Sequence, residues 1–160
     1  MVTTLYLIRH GETEDSETNR YKGSIDVPLS EKGIEQIRRV AKYLSENIAP
    51  SKREDKRGGG SYSNKLTAVY CSPLSRALKS AEIITEPHGL RPIVINDLRE
   101  RNFGIWEGML FTEIKEKYPQ EFEKWTQNPL KYSPIKGEST IEMKDRVIRA
   151  LNEIIEREHG

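Results

Sequence analysis

Chemistry in this chain begins where an apolar run stops. The stretch "LYLIRHGETEDSETNRYKG", residues 5–23, passes from Leu-Tyr-Leu-Ile directly into Arg9-His10-Gly11-Glu12: a cation, an imidazole, a glycine and a carboxylate in succession. An imidazole nitrogen can take up a phosphoryl group when the other ring nitrogen is fixed by a hydrogen bond, so that the attacking one is unprotonated. Guanidinium forks match phosphate oxygens bidentately, and backbone N–H groups at a glycine-bearing turn add donors. His10 is therefore a candidate nucleophile, and Arg9, Gly11 and Arg76 are candidates to hold the phosphate. A departing alkoxide needs a proton, which a carboxylic acid can deliver. Glu100, just after the third apolar run, is the candidate acid. Each residue also has a plainer reading. An isolated Arg-His pair usually lies on a surface, Arg76 sits on a helix whose apolar face others make, and Glu100 could pair with Arg99 or Arg101.

The surrounding elements must bring these residues to one rim. Residues 4–8 form a near-continuous apolar run, as expected of a strand covered on both faces. In "DVPLSEKGIEQIRRVAKYLSENI", Ser30 is an expected N-cap, and Ile34, Ile37, Ala41, Leu44 and Ile48 recur at helical spacing. "LTAVYCS" reads as a second strand. "SPLSRALKSAEIIT" reads as a helix with Pro73 at its first position and Leu74, Ala77, Leu78, Ala81 and Ile84 on its apolar face. "RPIVIND" is a third strand, and "FTEIKEKYPQEFEKW" gives short helices interrupted at Pro119. The last helix opens with Ser139 and Glu142 in capping-box spacing and carries Val147, Ile148, Leu151, Ile154 and Ile155 on one stripe, ending at Gly160. This alternation predicts an α/β fold: a three-layer sandwich with a mostly parallel sheet and helices on both faces. Ligands of such sheets bind beyond the carboxyl ends of the strands, where Arg9-His10, the stretch Ser72–Arg76 and the residues after Asp97 fall.

Composition narrows the classes of function. The chain has 160 residues, 26 Lys plus Arg against 25 Asp plus Glu, and a formal net charge of +1. That balance offers no polybasic surface for nucleic acid, so anion binding must come from locally placed arginines. A lone cysteine, Cys71, excludes an intrachain disulfide and a multi-cysteine zinc site, and it reads as packing. His10, His88 and His159 lack metal-ligand spacing. No metal, cofactor, signal peptide or membrane span is expected, and the reading is cytoplasmic. "APSKREDKRGGGSYSNK", about residues 50–65, holds almost nothing apolar and reads as a flexible surface insertion in a single domain spanning 1–160. Trp106 and Trp125 read as core or lid packing.

Four segments in order, "LIRHGET", "RYKG…DVPLSEKG", "YCSPLSRALKSAE" and "LRERNFGIWEG", resemble the histidine phosphatase superfamily. That group includes the cofactor-dependent phosphoglycerate mutases and the small phosphatases related to α-ribazole phosphatase. The resemblance implies a phosphoglycerate mutase-like fold and a phosphomonoesterase acting on a small-molecule phosphate ester through a phosphohistidine. It implies His10 as nucleophile, Arg9 and Arg76 as phosphate clamps, and Glu100 as proton donor. Arg20 and Gly23 fall where relatives approach substrate. Glu12 and Thr13 are expected to shape the loop around His10.

Two departures follow from the same comparison. Ser16 stands where relatives commonly carry an Asn that helps hold phosphate, and its hydroxyl has fewer donors and a shorter reach. Relatives also carry a second active-site histidine on an "HGG"-like turn after a further strand. His159-Gly160 follows a charged helix end instead and reads as a helix terminus, and His88 reads as a loop residue. The sequence is thus expected to represent a form truncated at its C-terminus, with an open sheet edge and an exposed apolar stripe on its last helix that would favour a homodimer. Phosphoryl transfer of the mutase type, or phosphate binding without turnover, are the alternatives. Mutases of the family it resembles carry longer insertions after the glutamate motif, so with only a few dozen residues between Glu100 and the last helix the resemblance implies the phosphatase over the mutase.

Overall fold

In a computed structural model the described residues are 3–18, 20–48 and 65–158. The expected insertion at 50–65 lies almost wholly outside them, as do His159 and Gly160. They gather into two compact units. A crossover unit comprises Arg9–Glu14 and Pro28–Val94, and a helical unit comprises Met1–Ile8, Asp15–Val27 and Ile95–Gly160. The fold is mixed α/β, rich in helix, with a small parallel sheet.

The crossover unit contains α1 (Glu31–Asn47), β1 (Tyr70–Cys71), α2 (Ser75–Thr85) and β2 (Ile93–Val94). Helix α1 starts where expected: the Ser30 hydroxyl accepts the Gly33 N–H at 3.0 Å. Ile37, Ala41, Leu44 and Ile48 form its buried stripe and meet Ile84 of α2, with Val40, Leu66, Val69 and Ile83 packed around them. β1 and β2 pair in parallel, Tyr70 opposite Ile93 and Cys71 opposite Val94, so that β1, α2 and β2 make a strand-helix-strand crossover. Cys71 is buried, and burial pushes its thiol pKa up, with Glu82 adding to the effect. This favours the inert thiol over the reactive thiolate.

Two sequence expectations are corrected here. Helix α2 begins at Ser75, so Pro73 precedes the helix by two residues. The Ser72 hydroxyl accepts the Leu74 N–H at 3.3 Å and makes a side-chain turn there that delays the first helical residue. The run 4–8 forms no strand: Leu5, Tyr6, Leu7 and Ile8 are exposed, Leu7 to 87%. An apolar run becomes a strand only where a neighbour supplies ladder hydrogen bonds, and among the described residues none pairs with it.

His88, in the 3-10 turn Glu86–His88 after α2, is only 2% exposed, and neither ring nitrogen has a hydrogen-bond partner among the described residues. Burial holds its pKa below the ordinary 6.5. The unfolded chain then binds the extra proton more readily. Stability is full above about pH 6.5 and falls as pH drops through the window below it, by up to about 1.4 kcal/mol per pH unit. His88→Phe is expected to flatten this part of the acid slope. Thermal midpoints measured from pH 7 to pH 5 check it: an equal slope in both proteins would rule His88 out as the proton acceptor.

The helical unit contains α3 (Phe111–Lys117), α4 (Pro119–Gln127) and α5 (Thr140–Glu158). Pro119 separates the first two by opening α4, where its missing N–H costs no helical bond. The capping box of α5 is formed: the Ser139 N–H donates to Glu142 Oε2 at 2.7 Å and the Glu142 N–H to Ser139 Oγ at 3.1 Å. Trp106 is buried and stacks on Tyr132 with ring centroids 5.5 Å apart, while Trp125 meets Trp106 edge-on at 6.2 Å. The tryptophans are packing, as expected. The stripe of α5 is partly open. Val147 and the exposed Ile148 line an apolar groove of about 470 Å³ with Leu130, Ile141 and Met143.

Candidate active site

The candidate residues divide between the units. Arg9, His10 and Arg76 belong to the crossover unit, and Ser16, Arg20, Gly23 and Glu100 to the helical unit.

The His10 turn is fastened to the start of α1. Thr13 bridges Leu29 in antiparallel fashion, the Glu14 N–H donates to the Pro28 carbonyl at 3.1 Å, and the Ser30 N–H donates to the Glu12 carbonyl at 3.0 Å. The Glu12 N–H reaches Gln36 Oε1 at 2.9 Å, and its carboxylate takes Lys32 Nζ at 2.8 Å. The Lys32 hydrogen bond holds the Glu12 pKa below its usual range. Glu12 and Thr13 thus shape the loop, as expected. The sequence reading did not single out Gly33. A Cβ on Gly11 would lie 2.2 Å from the Gly33 carbonyl oxygen, and one on Gly33 would lie 2.0 Å from the Glu12 carbonyl oxygen. Only two glycines let these backbones touch. The "EKG" of the second motif was the available signal.

His10 is half-buried, and its Nδ1 lies 2.7 Å from the Gly11 carbonyl oxygen. A carbonyl can only accept, so Nδ1 carries the proton, and in the neutral ring the lone pair is on Nε2. Arg9 is exposed. Arg76, in the first turn of α2 beyond the carboxyl end of β1, is only 5% exposed. That burial goes against the plainer alternative of an ordinary residue on the polar side of the helix.

In the helical unit, Ser16 opens an exposed 3-10 turn, Ser16–Thr18. Arg20 Nη1 donates to the Gly108 carbonyl at 2.7 Å and pairs with Glu113 Oε2 at 2.9 Å. The Leu110 N–H, followed by Arg20, keeps the Glu113 pKa low. Gly23 has φ +46, and a Cβ there would lie 2.7 Å from the Arg101 carbonyl oxygen, so the backbone itself demands glycine.

Glu100 is exposed, and its Oε1 accepts the Arg101 N–H at 2.9 Å. Arg101 is not its ion-pair partner. The Arg101 guanidinium is buried and donates to the Glu138 and Tyr132 carbonyls and to Thr140 Oγ1 at 2.9 to 3.1 Å.

Comparison with known proteins decides the family. The pattern of the histidine phosphatase superfamily (branch 1) matches residues 5–52 and 56–160. The chain belongs to this superfamily. Within it, the chain is 35% identical over 153 residues to phosphoserine phosphatase 1 of Hydrogenobacter thermophilus, covering 96% of this chain and 64% of that protein. Among solved members, a putative α-ribazole-5'-phosphate phosphatase from Escherichia coli is similar at TM-score 0.78 and 26% identity, over 95% of this chain and 66% of that one. A mycobacterial glucosyl-3-phosphoglycerate phosphatase in complex with VO3 is similar at TM-score 0.71 and 26% identity, over 94% and 66%. The chain therefore spans just under two thirds of the length of these relatives. Among the described residues, no helix is long and apolar enough to cross a membrane, and no cluster of His, Cys, Asp and Glu is arranged to hold a metal ion.

Proposed function

We propose that this chain is a phosphomonoesterase that hydrolyses a small-molecule phosphate ester through a phosphohistidine at His10. The observation that carries the reading is the bond from His10 Nδ1 to the Gly11 carbonyl, because it commits the ring to the tautomer with a nucleophilic Nε2. Superfamily membership and the phosphatase names of the relatives support the reaction class. The superfamily match extends through both units and supports a single domain.

The reaction balances as two displacements. Nε2 attacks phosphorus, the P–O bond to the leaving group breaks, and the Glu100 carboxyl protonates the departing oxygen. Water then attacks the phosphohistidine while the Glu100 carboxylate takes its proton, releasing phosphate and restoring both groups. Arg9 and Arg76 hold the phosphoryl oxygens as charge shifts onto them. Ser16, Arg20 and Gly23 border the substrate in this reading.

The test is phosphate release from a panel of phosphomonoesters, with rapid acid-free quenching to trap acid-labile phosphate on the protein. Turnover without any trapped phosphoprotein would replace the covalent route with direct attack by water. Arg76→Lys keeps the charge but loses the fork. It is expected to lower kcat/KM by about ten- to a hundredfold and to weaken inhibition by vanadate in parallel. Unchanged vanadate inhibition would remove Arg76 from the phosphate clamp.

A further inference from the structure

Arg146, in α5, spends no hydrogen on solvent. Its Nη1 donates to the carbonyls of Asp97 and Arg99, each at 2.8 Å, and its Nη2 donates to the Glu100 carbonyl at 3.1 Å and to Glu138 Oε1. Its Nε donates to Glu138 Oε2 at 2.9 Å. A guanidinium has five N–H donors, and all five are engaged, three on one short stretch of backbone and two on one carboxylate. The Glu138 bonds raise the Arg146 pKa. Burial opposes the charge on Glu138, yet the Arg146 fork and the Asn102 N–H hold its carboxyl below the usual range.

The carboxylate extends the clamp to the other side of Glu100. Glu138 Oε1 also accepts the Asn102 N–H at 2.9 Å, and the Glu138 N–H donates to the Asn102 carbonyl at 2.9 Å. Residues 97–102 are thus pinned before and after Glu100, whose own side chain is exposed. Carbonyls rarely converge on one cation unless the chain between them is being held in a set path. A surface carboxylate on an otherwise open stretch gains a fixed origin this way.

We propose that Arg146 is a positioning residue for the proton donor: with Glu138 it fixes the backbone at 97–102 and thereby aims the Glu100 carboxyl at the leaving oxygen. This rests on the reading of Glu100 as the acid. Nothing in the motif residues pointed to Arg146, which lies in an ordinary stretch of the last helix.

Two esters separate positioning from mere stability. An alkyl phosphate such as phosphoserine needs its leaving oxygen protonated, whereas 4-nitrophenyl phosphate releases a stable phenolate. For Arg146→Lys and for Glu138→Gln, the ratio of kcat/KM on the alkyl ester to kcat/KM on the aryl ester, which reports the step that expels the leaving group, is expected to fall about ten- to a hundredfold, since misplacement by about 1 Å costs up to a hundredfold. KM is expected to move little, and Glu100→Gln should lower the same ratio at least as far. If Glu100→Gln lowers the ratio and neither clamp variant does, the positioning role is overturned while the acid assignment stands. If Glu100→Gln leaves the ratio unchanged, or the parent chain releases no phosphate from either ester, the underlying reading fails and the proposal with it. Equal loss of kcat/KM on both esters, accompanied by a lower Tm, would make the clamp a stabilising feature only.

Discussion

His10→Ala is expected to lower phosphate release by at least about a thousandfold and to abolish acid-labile phosphate on the protein, because in the proposed reaction this residue forms the bond that carries the phosphoryl group. Methyl in place of imidazole removes the nucleophile and the ring's bond to the Gly11 carbonyl, while the loop bonds through Glu12, Thr13 and Glu14 remain. Thermal stability should therefore stay near that of the parent, and vanadate should still bind through the arginines. Parallel assays of phosphate release, phosphoprotein and Tm distinguish the cases. Release that persists in His10→Ala would point to water as the direct nucleophile. A large fall in Tm would show the ring to be part of the scaffold.

Gly11→Ala is expected to act on fold and site together. The new Cβ would stand 2.2 Å from the oxygen, 2.7 Å from the carbonyl carbon and 2.9 Å from the Cα of Gly33. All three are backbone atoms, so no change of rotamer relieves the clash, and the turn must move away from α1. Overpacking of this kind costs about 1–3 kcal/mol or more, and a domain of this size loses roughly 2–4 °C of Tm per kcal/mol. The bonds from the 12–14 loop to residues 28–30 lengthen with it, displacing the adjacent His10. Gly33→Ala should do the same from the other side, and the double variant should cost less than the sum, since both relieve one contact. Calorimetry of the three variants checks this. A Gly11→Ala protein within about a degree of the parent would mean that the two backbones separate freely, against the usual rigidity of packed interiors.

Much of this was legible in the sequence because it depended on neighbours along the chain. Ser30, Ser139 with Glu142, and Pro119 each act within one turn, and each lies where its type and spacing placed it. The stripe of α1 was readable for the same reason. The candidate site was readable only as a set of residue types: His10 follows an apolar run, and Arg76 follows β1. What escaped depends on distant partners. The run 4–8 has strand composition, but composition does not supply a ladder. Arg76 is buried although its helical neighbours make the apolar face, and Arg101 and Arg146 look like any surface arginine until the carbonyls around them are seen. Gly33 belongs to this group too, since its necessity comes from a loop some twenty positions earlier.

The two units also differ in how the chain reaches them, and this bears on the order of folding. Within the crossover unit, β1, α2 and β2 follow one another without a break, and α1 precedes them in the same stretch from Pro28 to Val94. Its closures range from the pairing of 12–14 with 28–30 to the packing of the α1 stripe on Ile84 of α2, and all lie within one continuous stretch of chain. The helical unit joins Asp15–Val27 to residues beyond Ile95, as in the Arg20 bonds to Gly108 and Glu113, so the whole of 28–94 must be looped out before those contacts form. Loop entropy makes such closures slower and later. A nascent chain would therefore build the scaffold under His10 first, while the segment bearing Glu100 and its arginine clamp would take shape only after α5 had been synthesised.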